Sequence, residues 1–259
     1  MADDGATWTA IILAGQRPGV DPLAAHFGQK YKALIPVAGA PMLRRVAKTL
    51  LACPEIARIV VLGQEPDQLR PALPDDPRID VLASVDGISR SIIAVAGTCA
   101  APWPLLITTA DHPLLSTQIV GSFLGRAGAC DVSVGIVERS IVLARFPETK
   151  RTWLKFWDGA WSGANLFALT GENARAALTL WTEAEGDRKQ AFKLFHHFGW
   201  WLALRAITRT IGLGVALRQA GKRLGMAVQL VPLADGDAAV DVDTLADHKL
   251  VEARLTRRG

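Results

Sequence analysis

Cysteine is scarce. Cys53, Cys99 and Cys130 are odd in number, widely separated and without a C-x-x-C pair. That excludes a disulfide framework and a thiolate metal cage, and it suits three small buried hydrophobes in a reducing compartment. Long apolar runs are missing too. In the second half the longest charge-free stretch is Leu194–Leu204, LFHHFGWWLAL, far short of the about 20 residues a membrane span needs. The amino terminus, MADDGATW, is acidic and has no apolar h-region, so no signal peptide is expected and the expected location is cytoplasmic. His26, His112, His196, His197 and His248 show no metal-ligand spacing. The first glycine turn reads GQRPG in place of G-x-G-x-x-G, and no acidic residue follows a second strand at the interval a dinucleotide site uses. Both argue against a Rossmann oxidoreductase.

What is present supports one full core. The chain has 259 residues, is 50% hydrophobic and carries a net charge of +4 with both signs interspersed. That balance favours a solvated surface over a nucleic-acid interface. Strands are expected at Thr9–Leu13, Arg58–Leu62, Ile79–Ala83, Pro104–Thr108 and Asp131–Val137, and helices at Pro41–Leu51, Ser89–Cys99 and Gln118–Gly125. This alternation predicts an α/β protein with a parallel-rich sheet and helices on both faces. From Ser140 to Asn165 the pattern turns irregular or hairpin-like. A helical insertion is expected at about 172–225, broken near Gly186, Gly199 and Gly212. Strand character returns at Met226–Pro232 and Ala239–Val242, and Leu245–Leu255 closes as a helix. Without repeats, low-complexity tracts or linkers, 1–259 reads as a single domain.

Four stretches could carry chemistry. The apolar run Ala10–Leu13 enters Ala14, Gly15 and Gln16, and a long loop then delivers Arg17, Lys30 and Lys32 ahead of ALIPV. A buried strand ending in a glycine turn, with cations beside it, suits a polyanion. The run LLITT ends at Ala110-Asp111-His112-Pro113, so Asp111 falls beyond the carboxyl end of a strand, where open α/β sheets bind ligands and where a Mg²⁺–phosphate would sit. A turn or helix-cap aspartate would look the same. Near the end, Asp241-Val242-Asp243-Thr244 combines two carboxylates with a helix start, so one of them has a capping alternative. Ser84–Ser91, SVDGISRS, is a polar loop entering a helix, suited to base or phosphate contacts and equally to capping.

In this order and spacing, LAGQR, KALIPVAGAPML, TTADHP and DVDT-x-x-D resemble the nucleotidyltransferase superfamily of molybdenum-cofactor (MobA-like) and sugar-nucleotide enzymes. The chain is also similar to the cytidylyltransferases that activate small phosphorylated alcohols. The resemblance implies a three-layer α/β/α fold with a mostly parallel, Rossmann-like mixed sheet of the nucleotide-diphospho-sugar transferase type. It implies nucleotide binding by Leu13, Ala14, Gly15 and Gln16, with Ser89, Arg90 and Ser91 near the base and ribose. Arg17 would contact the triphosphate and Lys32 the α-phosphate, while Asp111 and Asp243 would hold Mg²⁺, with Asp241 as the less favoured substitute. SGANLF, containing Asn165, resembles the segment that lines the acceptor side. Gln16 stands where many relatives have a second glycine, and the interval from Arg17 to Lys32 is longer than theirs.

The chemistry implied is an in-line attack by an acceptor phosphate on the α-phosphorus of a nucleoside triphosphate, releasing pyrophosphate. It needs positioning and charge neutralisation but no covalent intermediate, so the lack of a Ser/His/Asp or Cys/His set does not count against an enzyme. CTP is favoured over GTP because GISRS resembles the cytidylyl branch. The acceptor is read from Arg145, Lys150, Arg151, Thr152 and Lys155 among tryptophans, with Arg151, Thr152 and Asn165 as the binding candidates. They suit a small phosphorylated anion, such as a three-carbon acid or alcohol used as a lipid headgroup precursor. The alternatives are a molybdenum-cofactor or cobinamide nucleotidyltransferase using GTP or CTP, and a non-catalytic nucleotide-binding module. For Phe192–Arg223, packing within the domain is the commoner explanation; a lid, a homodimer surface and peripheral membrane contact are the others.

Overall fold

The computed structural model describes residues 7–16, 18–149, 151–185 and 200–257. Its frame is an eight-stranded mixed sheet. The strands are β1 (Trp8–Leu13), β4 (Ile56–Gly63), β5 (Ile79–Ala83), β6 (Leu105–Thr109), β7 (Val132–Glu138), β8 (Leu154–Phe156), β9 (Gly159–Leu169) and β10 (Val228–Leu233). A separate two-stranded ribbon joins β2 (Pro36–Val37) to β3 (Ala40–Pro41). The spatial order is β10-β7-β9-β6-β1-β4-β5, with β8 paired to β9. β1 pairs in parallel with both β4 and β6, β4 with β5, and β7 with β10, whereas β9 runs antiparallel between β6 and β7.

Alternation along the strands builds two cores. Ala10 and Ile12 of β1, Ile59 and Val61 of β4 and Leu106 of β6 face a layer containing Val46, Leu50 and Phe123. Those residues come from the helices Met42–Leu51 and Thr117–Ala127. Ile11, Val60, Leu62, Leu105 and Ile107 point the other way, onto Ile92 and Leu178, from the helices Ile88–Val95 and Arg175–Glu185. Residues i and i+2 share a face of a strand, so runs apolar at every position must be covered on both sides. That is the three-layer α/β/α arrangement expected of the sequence.

Two segments differ from expectation. Of the two alternatives for residues 140–165, the hairpin is the one formed, as β8–β9, but a short helix, Arg139–Arg145, precedes it and β9 continues as an 11-residue strand inside the main sheet. Its inward residues on one face are Ser162, Ala164, Leu166 and Ala168, small side chains with weak β-propensity that hide the alternation. Ala239–Val242 is not a strand. A 3-10 turn at Gly236–Ala239 begins where the Asp235 side chain accepts from Asp237 N, and the chain after it reaches its neighbour through Val242 N–H donating to Asp111 O at 2.9 Å.

The described part of the 172–225 region packs onto the sheet. Leu178 is buried in the second core, and Leu217, from helix Leu213–Arg223, lies against it. In helix Trp200–Ile207, Leu202 is buried while Leu204 and Ile207 are exposed. The breaks expected at Gly186 and Gly199, with Lys193, His196 and His197, lie outside the described residues. Among the described residues no helix is long and apolar enough to cross a membrane.

Candidate functional site

All the strands of the main path except β9 run in one direction, so the loops after β1, β4, β5, β6, β7 and β10 share one edge of the sheet. The chain leaves β1 for β4 and β5 on one side and returns to β6 on the other. Such a reversal opens a crevice beyond the carboxyl ends of the strands. The β1 loop lines it: Ala14 N–H donates to Leu62 O at 2.8 Å, and Ala110 N–H donates to Leu13 O at 3.0 Å.

Into this crevice the structure brings Lys32, Asp111 and Asp243, from three distant parts of the chain. Lys32 Nζ donates to Asp111 Oδ2 at 2.6 Å and to Asp243 Oδ1. Lys32 and Asp111 are largely covered, whereas Asp243 is 63% exposed. Burial opposes the ammonium charge, but attraction and hydrogen bonding to Asp111, then to Asp243, outweigh it and raise the lysine pKa above its ordinary 10.5. Lys30, the other candidate, is turned away to Glu65 at 2.6 Å. Asp243 is held by the carboxy-terminal segment. Val242 is tied to Asp111, Thr244 and Asp247 form a capping box on helix Leu245–Thr256, and Asp243 N–H donates to Asp247 Oδ2 at 3.3 Å. The capping work falls to Thr244 and Asp247, so the Asp243 carboxylate has no capping bond to make.

Four of the buried polar atoms without a partner among the described residues fall in one run at the end of β6: Thr108 Oγ1, Thr109 Oγ1, Asp111 Oδ1 and His112 Nδ1. Orphaned buried groups are uncommon, and each calls for an explanation such as an ordered water, an ion or a catalytic role. Among the described residues no group of three or more histidine, cysteine, aspartate or glutamate side chains could hold a metal. Two adjacent carboxylates, one with an unpartnered buried oxygen, nevertheless fit Mg²⁺, which keeps waters and takes one or two carboxylates plus substrate phosphates.

A second polar group forms around Asp241. Arg151 Nη2 donates to Asp241 Oδ1, and Asn165 Nδ2 donates to Oδ2 at 3.2 Å. Burial raises the Asp241 carboxyl, but Arg151 beside it and the Asn165 amide pull it below its ordinary value. Arg151 Nε is buried and unpartnered among the described residues. Asn165 has a left-handed φ of 48° where the β7–β9 register shifts, a conformation asparagine tolerates better than most residues. Thr152 is exposed. Arg145 points elsewhere, to the buried Asp237, which Arg254 also holds. His112 lies within reach of this charge cluster, and burial lowers its pKa.

The remaining candidates are placed less directly. Ser91 Oγ donates to Val85 O and Gly87 O at 2.9 and 2.7 Å, and Ser89 Oγ accepts from Thr182 at 2.9 Å. Both serines are buried within the fold, while Arg90 is exposed. Gly15 lies under the Gln64 amide, and the Gln16 side chain turns toward residues 30–32. Arg17 and Lys150 lie outside the described residues. Gln64 and Asp237 escaped sequence reasoning. Strand adjacency was the available signal for Gln64, since the residue after β4 must lie beside the β1 loop; nothing in Gly-Asp-Ala-Ala marks Asp237 as buried.

A mostly parallel sheet with a charged, partly orphaned crevice at its switch point defines an α/β nucleotide-handling protein. The chain belongs to the MobA-like NTP transferase domain family, whose model matches residues 10–197, and it is a nucleotidyl-transferring enzyme that takes a nucleotide substrate. Among solved structures it is similar to a hypothetical transferase from Thermus thermophilus, with 28% identity, a TM-score of 0.79 and coverage of 93% of this chain and 99% of that one. It shares its fold with 4-diphosphocytidyl-2C-methyl-D-erythritol synthase from Anaerococcus prevotii (15% identity, TM-score 0.58, 98% of each chain). The same holds for CMP:2-keto-3-deoxy-manno-octonic acid synthetase complexed with CTP (13% identity, TM-score 0.61, 98% and 100%). No curated protein matches the sequence.

Proposed function

We propose that this nucleotidyltransferase is Mg²⁺-dependent and couples CTP to a small phosphorylated, anionic acceptor, releasing pyrophosphate. The observation that carries this reading is Lys32 bracketed by Asp111 and Asp243 in the switch-point crevice, with Asp111 Oδ1 left without a partner among the described residues. Asp111 and Asp243 would hold the divalent ion, which when bound supplies charge neutralisation for the triphosphate.

The rest of the work belongs to the chain. The backbone of Leu13–Gln16 borders the nucleotide, and Lys32 offsets the charge that builds on the α-phosphate oxygens. An acceptor phosphate oxygen forms a bond to the α-phosphorus while the bond from that phosphorus to the bridging oxygen breaks, and pyrophosphate departs with the electron pair. The acceptor phosphate is already ionised at neutral pH, so the attack needs no general base. Arg151, Thr152 and Asn165 form the acceptor side. Asp241 holds the Arg151 guanidinium, whose buried Nε has no hydrogen-bond partner among the described residues. Two cytidylyl enzymes share this fold, which supports CTP as the first nucleotide to test. The MobA-like family match favours a second reading in which a molybdenum-cofactor pterin is the acceptor.

The test is pyrophosphate release by purified protein with Mg²⁺, each ribonucleoside triphosphate in turn, and a panel of phosphorylated three-carbon acids, alcohols and molybdopterin. One pair, with CTP as the donor, is expected to turn over. Release with molybdopterin alone would transfer the acceptor assignment to the second reading, and silence with every pair would overturn both.

A further inference from the structure

The loop that carries Lys32 is long, and its attachment to the sheet runs through two glutamines. Gln64 follows the last residue of β4. Its side-chain amide grips the backbone of Gln16 at both ends: Gln16 N–H donates to Gln64 Oε1 at 3.2 Å, and Gln64 Nε2 donates to Gln16 O at 2.6 Å. Gln16 repeats the pattern one step on, with Nε2 donating to Lys30 O at 3.1 Å and Oε1 accepting from Lys32 N–H at 3.3 Å. The next residue after Gln64 adds a third tie, the Glu65–Lys30 ion pair.

We propose that Gln64 is a positioning residue for the transfer reaction, acting through Gln16 to hold Lys32 between Asp111 and Asp243. This rests on the role given to Lys32 above and extends it to residues that touch neither nucleotide nor acceptor through their amides. Each primary amide is both donor and acceptor, and here each uses both functions on backbone groups flanking the loop. A glycine at position 16 would leave Lys30 O and Lys32 N–H without these partners. The glutamine side chain therefore braces the segment that presents the lysine. The relay runs in one direction: β4 fixes Gln64, Gln64 fixes the Gln16 backbone, and the Gln16 side chain fixes the segment that presents Lys32.

Gln64→Glu is the sharpest probe. The carboxylate still accepts from Gln16 N–H but cannot donate to Gln16 O, so the shorter bond becomes a repulsion between two oxygens. Gln16→Ala breaks the next step of the same relay. Both variants should lower kcat by about 10–100-fold, as displacements of about 1 Å do at reacting centres, with KM for the nucleotide changed by about twofold or less. In the nucleotide-free wild type and variants, amide hydrogen exchange across residues 28–35 supplies a readout that does not depend on turnover. The Lys32 amide should exchange about tenfold faster in both variants, while helix Met42–Leu51 keeps its protection. A uniform loss of protection, an unchanged Lys32 amide, or a KM effect without a kcat effect would overturn the proposal. Should the wild type prove inactive with every substrate pair, the transfer reading fails by itself, and the exchange data still decide whether Gln64 holds Lys32.

Discussion

Replacing Lys32 with methionine removes one positive charge from between two carboxylates and keeps most of the side-chain volume. Breaking a fully buried ion pair costs about 3–5 kcal/mol, whereas exposed pairs contribute about 0–1 kcal/mol. Here the Lys32–Asp111 pair is mostly covered and Asp243 is mostly open, so we expect a loss of about 2 kcal/mol. For a chain of this size that lowers Tm by roughly 4–8 °C. The sign with pH follows from the raised lysine pKa. The contribution is complete below the ordinary value of 10.5 and disappears only as pH rises through the higher folded value. The Tm difference should therefore be constant between pH 7 and pH 9, a window chosen to lie below that value. The variant should also gain affinity for divalent ions, because the ammonium no longer competes for Asp111 and Asp243. We expect binding of Mn²⁺, followed by electron paramagnetic resonance, to tighten by about tenfold or more, and millimolar Mg²⁺ to restore much of the lost Tm. Turnover should fall by about 10²–10³-fold, the usual cost of removing one transition-state donor. An unchanged Tm together with unchanged Mn²⁺ affinity would refute the view that Lys32 occupies the cation position of this carboxylate pair.

Other expectations follow from the same geometry. Asp111→Asn should abolish pyrophosphate release and, because it breaks the same covered pair from the other side, lower Tm, read by differential scanning fluorimetry, by no more than Lys32→Met does, since Asp243 still faces the lysine. Asp241→Asn should reduce stability at neutral pH and flatten the acid limb of the unfolding profile. A carboxyl held below its ordinary value stabilises above the unfolded pKa, and that contribution is lost as pH falls through the folded one. Gly135→Ala should destabilise by about 1–3 kcal/mol in a urea titration, since its Cβ would lie 3.1 Å from Leu166 Cβ and 3.3 Å from Ala164 Cβ. Thr244→Ala should cost about 1 kcal/mol of helix capping and raise KM for Mg²⁺ more than KM for the acceptor, because the cap holds the turn that bears Asp243.

Strands such as β1 and β4 were legible because Ala10–Leu13 and Ile59–Leu62 are unbroken apolar runs that lead into a glycine within two residues, the mark of a strand covered on both faces. β9 was not, since its buried side chains are mostly serine and alanine and its one antiparallel course is fixed by pairing partners distant in the chain. The same contrast holds at the site. Asp111 and Lys32 were visible as polar residues stranded at the ends of apolar runs, and the two aspartates near the carboxyl end could be named but not ranked by spacing. Only the fold shows Asp241 facing Arg151 and Asn165, and Asp243 facing Lys32. Gln64 was invisible for a related reason. A glutamine after a strand has no meaning until the neighbouring strand, and therefore the loop above it, is known.

The tie between Val242 and Asp111 joins parts of the chain that are far apart in sequence. The nucleotide half of the crevice is built from strands that all lie within the first 110 residues, yet Asp243 arrives only with the last turn before the terminal helix, beyond the segment that the family model matches. A chain cut before Val242 would keep every one of those strands and lose Asp243, so the pairing of the two carboxylates about Lys32 depends on a junction between distant parts of the sequence, made where Val242 N–H meets Asp111 O.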